Sequence, residues 1–409
     1  MKTPTIKKER GGVLMVTMIF ILTMAATVGS YLMIIQNSNQ MVARAQAWNN
    51  ALAIAESGIE EGLARFNAAS VNAFSIRYLN GGNYQVSYVN VSGNLAVRSV
   101  GTVVVPYSGD NISRTVQVTL SKTGLFMMGL LAINNIHFNG NGIASDSWNS
   151  HDPAQSANGY YNGFAGTNGD VGSIQGIVDI GNHIISGSLY LGPNATYTGH
   201  SANVLGDIYT DANLTFQDIS IPTQDDNGHN ISWNSAPTTT TGSGNSAVTT
   251  HPFSSSGYYL VYDNYPVTVN AGVNVTPDVR TADWNPTTLT ISGGTTNSGN
   301  VVLYLRRGDI TLAGNNSGGA AANRPENLYV FGYPAVTSIT LSGNSSFVGA
   351  IYAPEAMLTL NGGGNANNLI GAAVVNTVTL NGHYDFHYDT SLGTNRYTRS
   401  YVVGSWKEL

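Results

Sequence analysis

The sequence predicts a mainly β protein led by one long α-helix, with a small antiparallel sheet after the helix and then a parallel β-helix or β-solenoid. Three observations predict this. Residues 13 to 35 carry no charged side chain. A strand-and-turn unit of the ITLSGN type recurs toward the end of the chain. Charged residues make up only 10% of the chain, against about 25% in an average soluble domain, while 42% are hydrophobic. Disordered chains are rich in charge and poor in apolar residues, so disorder is excluded. The 47 glycines, with many Asn, Ser and Thr, suit strands bounded by tight turns.

At 409 residues the chain exceeds the usual single core, and more than one structural unit is expected. The net charge of -6, with no basic cluster beyond the N-terminus, argues against a nucleic-acid partner. The chain has no cysteine, which excludes disulfides, thiolate metal sites and cysteine catalysis.

Residues 1–12 form a basic leader, with Lys2, Lys7, Lys8 and Arg10 opposed only by Glu9. The uncharged stretch from Val13 to Ile35 is ~35 Å long as a helix, enough to cross a hydrocarbon core of about 30 Å. It also exceeds the roughly 7–15 apolar residues of a secretory signal peptide. The charge asymmetry across it places the leader in the cytoplasm and the rest of the chain outside an inner membrane, as a single-pass topology. The helix continues to residue 66 as an amphipathic segment. Met41, Ala45, Trp48, Leu52, Ala55, Ile59, Leu63 and Phe66 recur at three- and four-residue steps and form one apolar stripe. Arg44, Asn49, Glu56, Glu60 and Glu61 lie off the stripe, and Glu61 and Arg65 are spaced for a surface ion pair. Gly58 and Gly62 weaken the helix and blur its end. The stripe packs either on the following domain or on the same helix of other subunits.

The run RGGVLMVTMIFILTMAATVGSYL, followed by ALAIAESGIEEGL, resembles the N-terminus of PilX-type pilus-assembly proteins, relatives of the minor type IV pilins. The shared features are an Arg-Gly before the apolar helix and an Ala-rich AESGIE segment about forty residues later. The resemblance implies a pilin-like helix, partners among pilin-like or secretion-system subunits, and prepilin-type processing after Gly11 or Gly12. This sequence departs from the pilin pattern at the fifth mature position, Val16 or Thr17, where pilins usually carry Glu.

Residues 67–122 hold three strand-like runs, 84–91, 95–106 and 112–120, with turns at 81–82, 92–93 and 108–109. Their alternation suits a half-buried antiparallel sheet packed on the helix.

The solenoid is assigned to 123–392, followed by a tail, 393–409. Its units are ITLAGN at 310–315, ITLSGN at 339–344, LTLNGG at 358–363 and VTLNGH at 378–383, with related pieces IHFNGN at 136–141 and VLGDIY at 204–209. The glycines at 314, 343, 362 and 382 are spaced by 29, 19 and 20 residues, a period near that of stacked β rungs. Asn at the corners is suited to side-chain ladders between rungs. The irregular early spacing implies loop insertions, and the Ser/Thr/Gly-rich stretch 234–257 reads as an exposed loop or linker. This region resembles an uncharacterised domain found behind PilX-type N-termini, through ASDSW at 144–148, GAIYAP at 349–354 and FHYDTSL at 386–392. Thr390 stands where Glu is common. That family has no established reaction.

The best candidate chemistry is HYDFHYD at 383–389. Period-two geometry puts His383, Asp385, His387 and Asp389 on one strand face, where two imidazoles and a carboxylate offer Zn²⁺ ligands. The favoured reading is structural: a polar face in water opposite an apolar face of Tyr384, Phe386 and Tyr388, capping the last rung. Asp207, Asp211, Asp218, Asp225 and Asp226 offer oxygen to Ca²⁺ but lack the repeat such sites use, and are read as surface acids. No phosphate-binding loop, HExxH or GxSxG is present. Asp309 and Glu355 stand almost alone among the rungs, with Arg306 and Arg307 beside the first, too few acids for the paired carboxylates of polysaccharide cleavage. Tyr160–Tyr161 and Tyr258–Tyr259 are candidates for stacking on sugars, with strand packing the commoner use. No metal, cofactor or catalysis is expected. The expected role is a surface-exposed structural or adhesive component of a type IV pilus-like or secretion system; the alternative is a membrane-tethered β-helix that binds or cleaves surface glycans.

Overall fold

The computed structural model describes residues 12–67, 76–91, 94–139, 144–212, 214, 216, 218–225, 228–270, 272–281, 289–291, 299–313, 324–343, 346–362, 367–382, 384–394 and 398–409. The chain forms two compact units, residues 1–122 with 400–409, and residues 123–399.

The first unit is built on a helix from Gly12 to Asn67, 56 residues and about 84 Å long. Its N-terminal stretch is long and apolar enough to cross a membrane, with a mean hydropathy of 2.1 and none of that window buried. The lower half packs on an antiparallel sheet of strands Arg77–Leu79, Gly82–Val91, Asn94–Val104 and Asn111–Gly124. Tyr84, Val86, Val97, Val103, Val116 and Val118 of these strands are buried in one core with the helix.

The helix face in that core differs from the predicted stripe. Ala43, Ala47, Ala51, Ile54, Ala55, Gly58, Ile59 and Gly62 are buried, whereas Met41 and Trp48 are 67% and 51% exposed. The sheet has selected the small-residue face because it lets the backbones approach. A Cβ on Gly58 would lie 2.2 Å from Ser99 Oγ, and one on Gly62 2.7 Å from Val97 Cγ1. Both glycines are thus contact points within a helix that runs on to Asn67, not its end. Glu61 is likewise more than half of a surface pair: Arg65, Arg77 and the Tyr84 hydroxyl all donate to it.

The segment expected to be a tail holds the strand Thr398–Glu408, which is hydrogen-bonded to Asn111–Gly124 as the sheet's next strand. Its sequence, TRSYVVGSWKE, alternates too weakly to announce an edge strand with one face in water.

The second unit is a parallel β-solenoid. One wall runs, strand by hydrogen-bonded strand, through Trp233–Ser235, Gly257–Val261, Val275–Val279, Val301–Leu305, Leu328–Gly332 and the long strands Phe347–Gly362 and Asn367–Asn381. It continues through Leu130–Ala132, Val171–Ser173, Leu189–Leu191 and Ile208–Tyr209. Leu303, Val330, Ile351, Ala373, Leu130, Val171 and Leu189 form one inward column along this wall, each at most 1% exposed. A buried Leu, Ile or Val contributes about 1.5–3 kcal/mol, so stacking, which no single rung supplies, holds the unit together. A second wall puts the recurring units in register, Ile310, Ile339, Leu358, Val378 and Ile136 in successive strands. Asn381 Nδ2 donates to Asn361 Oδ1 at 2.9 Å, a rung of the expected ladder.

Spatial order is not chain order. The chain starts mid-stack at Leu130, winds to one end at Ile208–Tyr209, then passes to the opposite end at Trp233. From there it winds back until residues 373–375 lie beside Leu130–Ala132. The stretch 234–257, expected to be a loop, is part of that far end. Thr239–Thr241 pairs antiparallel with Val248–Phe253, which pairs with Val267–Val269 and buries His251 and Phe253. Threonine's β-branched side chain favours strands, and here that outweighs the loop-like composition.

Candidate functional site

The two short motifs of the solenoid, ASDSW and FHYDTSL, meet. Ala144–Trp148 and Tyr384–Asp389 are neighbouring parallel strands, with Phe386 opposite Ser145, His387 opposite Asp146 and Asp389 opposite Trp148. Tyr384, Phe386 and Tyr388 face the core as expected. The Tyr388 hydroxyl donates to Phe126 O at 2.7 Å, and burial pushes both tyrosine hydroxyls above their ordinary pKa.

On the opposite face, His387 and Asp389 do not meet water, while Asp385 is partly exposed. His387 is 7% exposed and Asp389 fully buried. The segment after Trp148 folds back over them: Ser147 and Gly166 form a bridge, and Ser156–Ala157 and Tyr160–Tyr161 a small hairpin. The Tyr161 ring stacks on the His387 imidazole with centroids 4.0 Å apart, and its hydroxyl donates to Asp146 Oδ2 at 3.3 Å. His387 Nδ1 lies 2.7 Å from Asp146 Oδ1. Burial beside Asp146 pushes the Tyr161 hydroxyl up. Nor is the strand a cap, because it lies between strand Asn367–Asn381 and strand Ala144–Trp148.

Of the four predicted ligands, the three described ones, Asp385, His387 and Asp389, are not brought to one point. Asp385 accepts from Ala144 N at 3.0 Å, and His387 is engaged by Asp146. Asp389 Oδ1 accepts from Ser150 N and Ser391 N, both at 3.1 Å. Burial holds its carboxyl above the ordinary range, partly offset by those bonds. Asp389 Oδ2 and Trp148 Nε1 are buried with no hydrogen-bond partner among the described residues. His383 lies outside the described residues, as do Gly11 and Asp226. Among the described residues no group of three His, Asp or Glu is placed to hold a metal ion. Asp207 accepts from the Tyr209 hydroxyl, and Asp225 from His229 N at 2.8 Å. Of the tyrosine pairs, Tyr160 is 39% exposed, Tyr258 lies edge-on to Trp233, and the Tyr259 hydroxyl donates to Ser255 O.

Sequence reasoning missed one cluster. Asp278 is fully buried and accepts from Arg280 Nε at 2.9 Å and Arg306 Nε at 2.7 Å. Its hydrogen bond holds the Arg306 guanidinium above its ordinary pKa, and that group lies over the Tyr333 ring at 5.0 Å. The only signal was an Asp-x-Arg one rung from an Arg-Arg, weak without knowledge of the register. Asp309 accepts from the hydroxyls of Thr337 and Ser338, which hold its carboxyl below the ordinary range. Glu355 and Arg307 are exposed.

Comparison with known proteins places these observations beside two others. Residues 223–395 match the family described as Domain of unknown function (DUF7305), a span that includes GAIYAP and FHYDTSL but not ASDSW. Among curated proteins no match was found. Among solved structures, the chain is similar to the competence-associated pilin ComZ from Thermus thermophilus at 11% identity, covering 87% of this chain and 97% of that one with a TM-score of 0.32.

Proposed function

We propose that this chain is a membrane-anchored, non-enzymatic subunit of a type IV pilus-like or secretion assembly, and that its solenoid is a structural or adhesive element displayed outside the membrane. One observation carries the reading. From Gly12 to Val42 every residue of the helix is exposed, whereas from Ala43 onward the same helix is packed on a sheet. The uncharged, predominantly apolar part of that surface, residues 13–35, belongs in a bilayer or against like helices, not in water. Met41, Val42 and Trp48 continue that exposed surface beyond the membrane span and suit contacts with neighbouring helices. The resemblance of AESGIEEGL to PilX-type N-termini supports the same reading.

The proposed lack of catalysis is supported by the way several polar groups are engaged. Asp278 is neutralised by two guanidinium groups, and Asp309 is tied to two hydroxyls. His387 is held by Asp146 beneath a tyrosine ring. Each of these groups is engaged by the chain's own side chains.

Protease added to intact spheroplasts tests the reading together with Trp48→Glu. The solenoid is digested from outside. The substitution removes the chain from cross-linked complexes with other helix-bearing envelope subunits while the solenoid stays folded. A solenoid protected in intact spheroplasts, or a chain that cross-links to no other subunit, overturns the reading.

A further inference from the structure

The solenoid interrupts the helix-bearing unit in the chain. The strand Asn111–Gly124 leads directly into it, and Thr398–Glu408, which pairs with that strand, follows it. The late strand is tied along its length. Leu409 N donates to Thr115 O at 3.0 Å, the Arg114 guanidinium donates to Glu408, and the hydroxyls of Thr119 and Ser405 lie 2.6 Å apart. At its other end, the Asn67 side chain donates to Tyr401 O and accepts from Tyr401 N, and the Tyr401 ring meets Phe66 edge-on at 4.7 Å. The end of the long helix is thus held partly by residues that follow the solenoid.

The solenoid's first and last rungs are also neighbours. Leu130 pairs with Ala373, Ile136 with Val378 and Ser145 with Phe386. The chain enters and leaves the solenoid at one place, where a Cβ on Gly124 would lie 2.4 Å from Gly393 O. That place exists only when the last rung has docked on the first. Until then Gly124 and Thr398 are the ends of an open loop of roughly 270 residues, and bringing them together carries the full loop-closure entropy. Once the seam has closed, strand pairing is a local event at high effective concentration.

We propose that the Thr398–Glu408 strand makes the small sheet a check on solenoid completion: the helix-bearing unit gains this strand only in a chain whose first and last rungs have closed on each other. The inference does not depend on which assembly the helix joins. An incomplete chain would present the free edge of Asn111–Gly124, and a complete one would not.

Hydrogen exchange on the full chain in detergent micelles tests this with three variants. Leu130→Asp parts the seam; Phe386→Ala is a milder opening of the same seam, for use if the first variant does not fold. Val261→Asp damages the wall several rungs from the seam. Opening the seam raises exchange at least tenfold at residues 111–121 and 398–409, although no residue there is altered, and Val261→Asp does not. In a chain ending at Thr394, the alternate amides of 111–121 that face the missing strand exchange freely while those paired with 94–104 and the rungs at 328–375 stay protected, and a synthetic peptide of residues 398–409 restores protection. The proposal fails if seam variants leave 398–409 as protected as in the unaltered chain while 130–132 and 373–375 exchange freely. It fails equally if Val261→Asp exposes 398–409 as much as the seam variants do, or if the shortened chain keeps protected the amides of 111–121 that face the late strand.

Discussion

His387 and Asp146 are 241 residues apart in the chain and 2.7 Å apart in space. Both lie in motifs that stand out in the sequence, and alternation correctly puts Tyr384, Phe386 and Tyr388 in the core. What alternation cannot convey is that His387 and Asp389 on the polar face are covered too. The covering segment, 149–169, is Gly- and Asn-rich and has no period to read. The expectation that the polar face meets water therefore gives way to a different set of energies. Phe386→Ala should cost about 3–5 kcal/mol, as core Phe→Ala changes do. His387→Gln, which breaks a buried hydrogen-bonded pair, should cost about 1–3 kcal/mol. Urea unfolding measures both, and a His387→Gln curve superimposable on the wild type would show that the pair is idle. Asp389 gives a pH test. Its carboxyl is held above the ordinary range by burial, so the folded chain binds that proton more tightly than the unfolded chain does. The stability it contributes is complete below the ordinary carboxylate pKa of about 4 and is lost as pH rises through the higher folded value. Asp389→Asn keeps an oxygen for Ser150 N and Ser391 N and removes the charge. Between pH 4 and 7 the variant should lose less stability than the wild type; parallel melting-temperature curves would refute the assignment.

At the scale of elements, the long helix was legible almost to the residue, because a charge-free stretch and a three-and-four periodicity leave little choice. Which face it buries was not. Periodicity weighs large apolar side chains, and the contact is governed by small ones, Ala47, Ala51, Ala55, Gly58 and Gly62, that let a sheet approach. Helix propensity and packing therefore predict opposite signs at Gly58. Propensity alone makes Gly58→Ala stabilising by about 1 kcal/mol. The added Cβ would fall 2.2 Å from Ser99 Oγ and 2.9 Å from the Tyr84 ring, so the change should instead destabilise the unit by about 1–3 kcal/mol, as overpacking does. Gly29, with nothing within 4 Å, serves as the control, and Gly29→Ala should show the propensity effect alone, a stabilisation of up to about 1 kcal/mol. Thermal unfolding in micelles decides the sign; a stabilised Gly58→Ala would mean the helix stands further from the sheet than 2.2 Å implies. The Thr398–Glu408 strand was illegible for a related reason. Among the described side chains of that strand only Tyr401 joins the helix core, and TRSYVVGSWKE carries almost no periodic signal.

The solenoid as a whole shows where pattern reading stops. The ITLAGN, ITLSGN, LTLNGG, VTLNGH and IHFNGN units do share one wall, in register, and their alternation says which side chains point inward. It does not say which unit neighbours which, because every rung offers the next the same Ile, Leu or Val surface. A stack built in chain order satisfies the pattern equally well. In that order the units at 136–141 and 378–383 would occupy opposite ends, roughly 40–50 Å apart at ~4.8 Å per rung. The observed order makes His137 and Thr379 register partners on adjacent strands. Both are only partly buried and alternate with core residues, so their side chains point outward. The chain has no cysteine, and a pair introduced at these positions would be the only thiols present. A short thiol-bridging reagent should then link His137→Cys to Thr379→Cys within one molecule, as efficiently as it links Thr359→Cys to Thr379→Cys, which are neighbours in either order. Linkage of the second pair without the first would mean the rungs are stacked in chain order, and the seam at Leu130 and Ala373 would go with it.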